Sequence, residues 1–313
     1  MAIERRAVVD REQWLAWRRQ DVTASQIGAL FGVHPYQTKL RLYAEKRGVA
    51  FHDEDNKVKR RGRWLEPAVA EAVRELRPDW TIEPARCYLR DPELRLGATP
   101  DFFIHGDPRG LGVLQAKSVA ASVFARDWAD GKDVPLWITL QTAVEMMLAE
   151  AAFGAIAVLL VDPFDMDCYV HELPRNVAAE AKIILAVRNF WADVAAGREP
   201  ELDPARDADV VRALAPHSVE GETCDFNGNN EIPVKLAHRA ELIEVIKSAE
   251  DECKAVETEL KFLMGKAEAA TGLPGWKVTF KNGMRQGYTV ETMPTRILRI
   301  FDQRARSMNR KAG

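Results

Sequence analysis

The apolar positions of the first two hundred residues fall into a helix-first, then mixed pattern. The segment DREQWLAWRRQ predicts a helix, with Asp10 as its N-cap and Gln13 three residues on. ASQIGALFG and TKLRLYAEKRG each predict a shorter helix closed by glycine. From Arg63 to Leu76 the residues Leu65, Val69, Ala72 and Leu76 recur at helical spacing. Extended strands are predicted at about 81–90, 101–105 and 111–117, with HGDPRG as the turn between the last two. A helix over Pro135–Ala149 leads into AIAVLLV, a buried strand by its apolar run, and CYVHEL pairs with it. A helix over Val177–Ala196 closes this unit. Helices, strands, helix, strands and helix in that order predict an α/β domain around a mixed sheet.

Past residue 198 the pattern changes. GREPELDPARD and ETCDFNGNNEIP are rich in Pro, Gly, Asn and acids, as linkers are. Beyond them Leu242, Ile246, Ala249, Cys253, Val256, Leu260, Leu263 and Ala267 alternate spacings of four and three, a heptad seam over 236–270. At 1.5 Å per residue that helix is about 50 Å long. It can be half of a coiled coil with another chain or fold back on its own domain, and heptads alone leave both open. In WKVTFKNGMRQGYTV, Trp276, Val278 and Phe280 alternate across a turn from Tyr288 and Val290, which predicts a hairpin. The expected organisation is a domain over 1–200, a linker over 201–233 and a helical extension with hairpin and basic tail over 234–313.

Composition narrows the class of protein. With 47% hydrophobic residues and no apolar run of membrane-spanning length, the 313-residue chain reads as soluble and globular. The start MAIERRAVVDREQW lacks the features of a secretory signal, and Cys87, Cys168, Cys224 and Cys253 form no CxxC pair. Both point to a reducing cytoplasm and away from structural zinc. Net charge is −3 with a pI near 6.1, which speaks against a protein coating nucleic acid with its whole surface. Positive charge is nonetheless clustered in KVKRRGR at 57–63 and in Arg296, Arg299, Arg304, Arg306, Arg310 and Lys311 after Met293. Solvated surface is the bland reading of both clusters.

The chemistry concentrates in LGATPDFFIHGDPRGLGVLQAKS at 96–118. Residues i and i+2 of a strand share a face, so Gln115 and Lys117 point the same way and the hairpin brings them beside Asp101. Mg²⁺ prefers oxygen ligands, and a lysine nearby can orient an attacking water and offset phosphate charge as the ammonium, or deprotonate the water as the free amine. That is a layout for metal-assisted phosphodiester hydrolysis. The alternative is an aspartate capping a turn and a lysine snorkelling from a strand end. Glu66 shares its helix face with Val69, Ala70 and Val73, where an unpaired charge costs several kcal/mol. Gln141 likewise lies among Trp137, Ile138, Val144 and Leu148.

TASQIGALFGVHPYQT, GRWLEPAVAEAV, GATPDFF, LQAKS and LQTAVEMML occur in the order found in the phage-type YqaJ recombinases. Over about residues 10–195 the chain resembles that family, relatives of phage lambda exonuclease within the PD-(D/E)xK nuclease superfamily. The resemblance implies a restriction-endonuclease-like α/β core, a mixed central sheet flanked by helices, followed here by the long helix and hairpin. It implies a Mg²⁺-dependent exonuclease, with Mn²⁺ able to substitute, in which Asp101 and Glu66 bind metal, Lys117 assists the water, and Gln141 sits at the site's edge. It further implies a grip on the 5′-phosphate by Arg18 and Ser25, with Thr99 and Arg126 as weaker candidates. Lys59, Arg60, Arg61 and Arg63 would face the DNA backbone, giving sequence-independent, salt-sensitive affinity. The implied partners are double-stranded DNA ends, further copies of the chain in a toroidal trimer, and a single-strand annealing protein, in the cytoplasm of a bacterial host of phage or prophage.

Gln115 departs from the family pattern, which has Glu or Asp there. An amide oxygen still ligates Mg²⁺ but brings no charge. Two readings follow: a working 5′-to-3′ exonuclease that tolerates the amide, or a DNA-binding accessory protein on a nuclease fold that cuts poorly.

Overall fold

The stretch from Thr81 to Asp91 is extended, but it breaks at Arg86, whose backbone is left-handed (φ 45°), and its two halves join different sheets. The computed structural model describes residues 2–51, 57–162, 166–283 and 298–300, with Asp130 as backbone only. In chain order the elements are β1 (Glu4–Ala7), α1 (Arg11–Gln20), β2 (Val22–Thr23), α2 (Ile27–Leu30), α3 (Lys39–Lys46), α4 (Lys57–Leu76), β3 (Thr81–Pro84), β4 (Cys87–Asp91) and β5 (Leu96–Ala98). They continue with β6 (Phe102–His105), β7 (Gly112–Val119), α5 (Ala121–Asp127), α6 (Leu136–Ala149), β8 (Phe153–Val161), β9 (Met166–Pro174), α7 (Val177–Ala196), α8 (Ala208–Leu214) and α9 (Glu231–Met264). One sheet has the order β1-β4-β5-β2, the other β3-β6-β7-β8-β9. In the second sheet only β7 and β8 run parallel.

Alternation along β7 sets the layers. Leu114 faces α4, where Val69, Ala70 and Val73 pack with Ala155, Ala157 and Leu159 of β8. Val113 faces the other way, into a core shared by Val144 and Met147 of α6 and by Leu89 and Leu96 of the first sheet. A fully buried valine or leucine adds about 1.5–3 kcal/mol, so both helices are held by their apolar stripes. The mixed α/β architecture is as predicted, and α7 has the predicted bounds.

Local chemistry explains the start. Asp10 accepts the backbone N–H groups of Glu12 and Gln13 at 3.1 Å each, the expected N-cap of α1. At its other end Asp21 is wholly buried and takes Arg90 Nη2 at 2.7 Å and the Tyr88 hydroxyl at 3.0 Å. The Lys46 ammonium donates to the carbonyls of Arg18 and Asp21 at 2.9 and 2.6 Å, and burial lowers it to about 8.

Several elements differ from expectation. α4 begins at Lys57, so KVKRRGR forms its opening turns. The short strands β1, β2 and β5 and the helices α5 and α8 were not foreseen. The chain divides into Met1–Ala215 and Pro216–Gly313, so the first part of the expected linker belongs to the first unit. Val210 is buried there, and Asp207 accepts both the Thr38 hydroxyl and the Asp203 N–H. In the second unit α9 ends at Met264, which leaves Ala267 of the predicted seam outside the helix, and Leu242, Ile246, Val256, Leu260 and Leu263 are exposed. Trp276–Phe280 forms no strand; Thr279 makes one bridge to Ala269. Tyr288, Val290 and the basic tail other than Arg299 lie outside the described residues. Among the described residues no helix is long and apolar enough to cross a membrane.

Gly97 marks the tightest packing around Asp21. A Cβ there would lie 1.9 Å from the Tyr88 hydroxyl, so Gly97→Ala should lower stability by about 2–3 kcal/mol. Urea unfolding measures this, and an unchanged midpoint would mean that the Tyr88 ring does not lie over Gly97.

Candidate active site

Strand β7 has eight residues and its neighbour β6 four. β6 is registered only against Gly112–Leu114, whereas β8 is registered along all of Gly112–Val119. Among the described residues one edge of β7 beyond Leu114 is therefore without a sheet partner, and a notch opens there. Asp101, immediately before β6, fills its inner end: the carboxylate Oδ2 accepts the Ala116 N–H at 2.9 Å, satisfying a backbone donor past the end of the ladder. The same oxygen accepts Gln115 Nε2.

A hydrogen-bonded chain runs from there to α6. Gln115, 2% exposed, accepts Gln141 Nε2 on its Oε1 at 2.7 Å. The second Gln141 N–H goes to Glu145 Oε1 at 2.9 Å, and Gln141 Oε1 receives the Lys117 ammonium at 3.4 Å. Lys117 also lies 5.5 Å from the centre of the Trp137 ring. Gln115 thus turns its nitrogen to Asp101 and its oxygen to Gln141, rather than presenting the oxygen as the metal ligand expected from the sequence.

The electrostatics of this cluster are unfavourable as they stand. Burial, then the charge of Asp101, raises the Glu66 carboxyl to about 7 against the pull of Lys117 and Arg63. Burial also raises Asp101, more than Lys117, the Ala116 N–H and Gln115 lower it. Glu145 is driven up by burial and then by Asp101. Three carboxyls held above their ordinary range around one ammonium are a donor set short of positive charge, which fits a hard dication. The buried Glu145 Oε2, without a hydrogen-bond partner among the described residues, points the same way. Among the described residues no three His, Cys, Asp or Glu side chains converge on one metal-sized point. The carboxylates available to hold an ion are therefore Asp101 and Glu66, with Glu145 behind them.

Arg18 and Ser25 are in contact, Nη2 to Oγ at 3.0 Å, and Ser25 Oγ is 3.1 Å from the Thr23 hydroxyl. The Arg18 guanidinium stacks 4.6 Å over Trp14, whose indole N–H donates to Thr99 at 3.0 Å. Thr99 thereby joins this neighbourhood two residues before Asp101. Arg126 is engaged elsewhere: Asp127 takes its fork at 2.7 and 2.8 Å. Lys59, Arg60, Arg61 and Arg63 lie on the first two turns of α4, ahead of Glu66.

Two residues of this region were missed in the sequence. Glu145 follows Gln141 by one helical turn, and an acid inside LQTAVEMML at that spacing was the available signal. His34 stacks on Trp137 at 5.3 Å from ring to ring, and its Nδ1 accepts the Tyr36 N–H at 3.1 Å. Its imidazole is hydrogen-bonded to the Ser25 backbone and feels the charges of Arg206 and Lys117.

The site thus gathers acids, amides and a lysine at the overhanging strand of a mixed sheet flanked by helices. Residues 13–152, which hold every side chain of the cluster, match the YqaJ-like viral recombinase domain family. The uncharacterized protein YqaJ of Bacillus subtilis (strain 168) is 24% identical over 272 residues, 83% of this chain and 80% of that protein. The alkaline exonuclease LHK-Exo from Laribacter hongkongensis shares 21% identity with a TM-score of 0.48, covering 60% of this chain and 94% of its own. A phage related exonuclease from Haemophilus somnus 129PT shares 13% with a TM-score of 0.43, covering 56% of this chain and 96% of its own.

His34 yields a test of this packing. Burial lowers its imidazole from 6.5 to about 4, so the unfolded chain takes up the proton first and stability falls as pH drops through that interval. His34→Phe keeps the ring on Trp137 without a titrating group. The decline in melting temperature between pH 6.5 and 4 should be shallower in this variant; parallel curves would place His34 in water rather than against Trp137.

Proposed function

We propose that the chain is a divalent-metal-dependent deoxyribonuclease that degrades linear duplex DNA from its ends, removing the 5′-terminated strand. The observation that carries this is the charge-deficient cluster of Asp101, Glu66 and Lys117 in the β7 notch, with the Arg18–Ser25 pair packed on Trp14, which holds Thr99 two residues before Asp101. The match of residues 13–152 to a viral recombinase domain supports the same reading.

Each group has a task in such a reaction. Asp101 and Glu66 would hold Mg²⁺ or Mn²⁺. When bound, the metal supplies Lewis-acid neutralisation of phosphate charge and a more acidic water. Lys117 Nζ, which donates to Gln141 Oε1, would orient the attacking water as the ammonium or, as the neutral amine, take its proton. The Arg18 guanidinium and the Ser25 hydroxyl would receive a terminal 5′-phosphate, Arg18 through paired N–H donors. The basic opening turns of α4 would run along the DNA backbone. A ring of three copies around the duplex, delivering the remaining strand to an annealing protein in a bacterial cytoplasm, follows from the family resemblance and belongs to this proposal.

Linear duplex labelled at one 5′ end provides the assay. Asp101→Asn and Lys117→Ala should each lower cleavage about 100-fold or more while duplex binding persists. Cleavage by Asp101→Asn at the wild-type rate would remove the notch from the chemistry, and wild-type binding without cleavage would make the chain an accessory DNA-binding protein.

The pocket is tested separately. Arg18→Ala should slow processive digestion of 5′-phosphorylated ends far more than of unphosphorylated ones. Equal loss on both substrates would exclude Arg18 from end recognition.

A further inference from the structure

We infer that Glu145 is a positioning residue of the metal centre: from α6 it supplies the negative charge that Gln115 leaves out of β7, and it fixes the direction of the amide chain that holds Asp101 and Lys117. The inference rests on the metal-site reading above.

Glu145 is 0% exposed on a helix whose buried neighbours include Ile138, Val144, Met146, Met147 and Leu148. A carboxylate there, with Oε1 bonded only to Gln141 and Oε2 to nothing among the described residues, adds no stability that a methionine of similar volume would lack. Its charge needs a different purpose. The nearest cationic chemistry is Lys117, reached through Gln141, and an ion held by Asp101 and Glu66.

The amide geometry shows how the influence is passed on. Both hydrogens of Gln141 Nε2 are committed, one to Glu145 and one to Gln115 Oε1. With Glu145 ionised, reversing the Gln141 amide would set its oxygen against the Glu145 carboxylate and its NH₂ against the Lys117 ammonium, two repulsive contacts. Glu145 and Lys117 together therefore hold Gln141 in one orientation. Gln141 in turn directs the Gln115 oxygen inward, so the Gln115 N–H meets Asp101 Oδ2. With Oδ2 also bound by the Ala116 N–H, Asp101 is left with Oδ1 as its free oxygen. Glu145 acts through two amides and does not touch the reacting atoms.

Charge count gives the test, read as Mn²⁺ affinity by calorimetry on the folded full-length chain. Glu145→Gln is near-isosteric and should weaken Mn²⁺ binding about 10- to 100-fold, as loss of an outer-sphere group does. Q115E should bind more tightly than wild type, and the double variant Q115E/E145Q, which returns the charge to the strand, should recover toward wild type. E145Q binding Mn²⁺ as wild type does, or a folded double variant remaining as weak as E145Q, overturns the inference. Should E145Q fail to melt cooperatively, Q115E is compared with Q115E/E145Q instead: a double variant several-fold weaker supports the inference, and equal affinities overturn it. Asp101→Asn separates the two levels of argument. If it retains full Mn²⁺ affinity the metal site itself is wrong; if it loses binding while E145Q does not, only the role of Glu145 falls.

Discussion

A β-strand that outlasts its neighbour leaves backbone groups that something else must satisfy, and the candidate site is organised around that requirement. β7 continues past β6, and the first donor beyond the ladder, the Ala116 N–H, is met by a side chain. Because the partner is the Asp101 carboxylate, the repair of the strand edge and the placing of an acid at the notch are one event. The residues that follow, Gln115 and Lys117 on one face and α6 against it, inherit their positions from that register.

The same arrangement is a local exception to the rest of the fold. Elsewhere buried charge is answered directly, as when Asp21 meets Arg90 and Tyr88. In the notch, acids crowd together with amides between them and only Lys117 and Arg63 drawing Glu66 down. Consistency of pattern, packing and charge breaks where function is expected to break it. An amide in place of an acid at Gln115 eases the crowding beside Asp101 while keeping the hydrogen-bond path to α6 intact.

Much of this was legible along the chain because strand alternation is a strict period. Asp101, Gln115 and Lys117 could be assigned to one corner from residue spacing and one turn, and Glu66 and Gln141 stood out as polar groups on apolar helix faces. Glu145 escaped notice because it stands in an apolar stretch of α6 one turn from Gln141, and its hydrogen bond to that amide shows only in the structure. The short strands β2 and β5 carry too few residues for a period to register, and α8 was hidden in a stretch whose prolines and acids read as linker. Its attachment rests on Val210 and on the buried pair of Asp207 and Thr38, contacts between residues far apart in sequence. The seam of α9 was read correctly as helix but extended past Gly265, where the chain turns out of helical geometry.

The anchoring of α1 carries one more consequence. Arg18 is held at both ends: its carbonyl by the Lys46 ammonium, its guanidinium by the Trp14 ring and the Ser25 hydroxyl. An arginine on an open surface surrenders about 1 kcal/mol of rotational freedom when a ligand immobilises it, and much of that loss has already occurred here. An anion arriving at Arg18 would meet a donor with little left to lose, so selectivity there would derive from shape more than from attraction. On the proposed reading, added salt would weaken DNA contacts of the basic opening turns of α4 well before those of this single, pre-ordered fork.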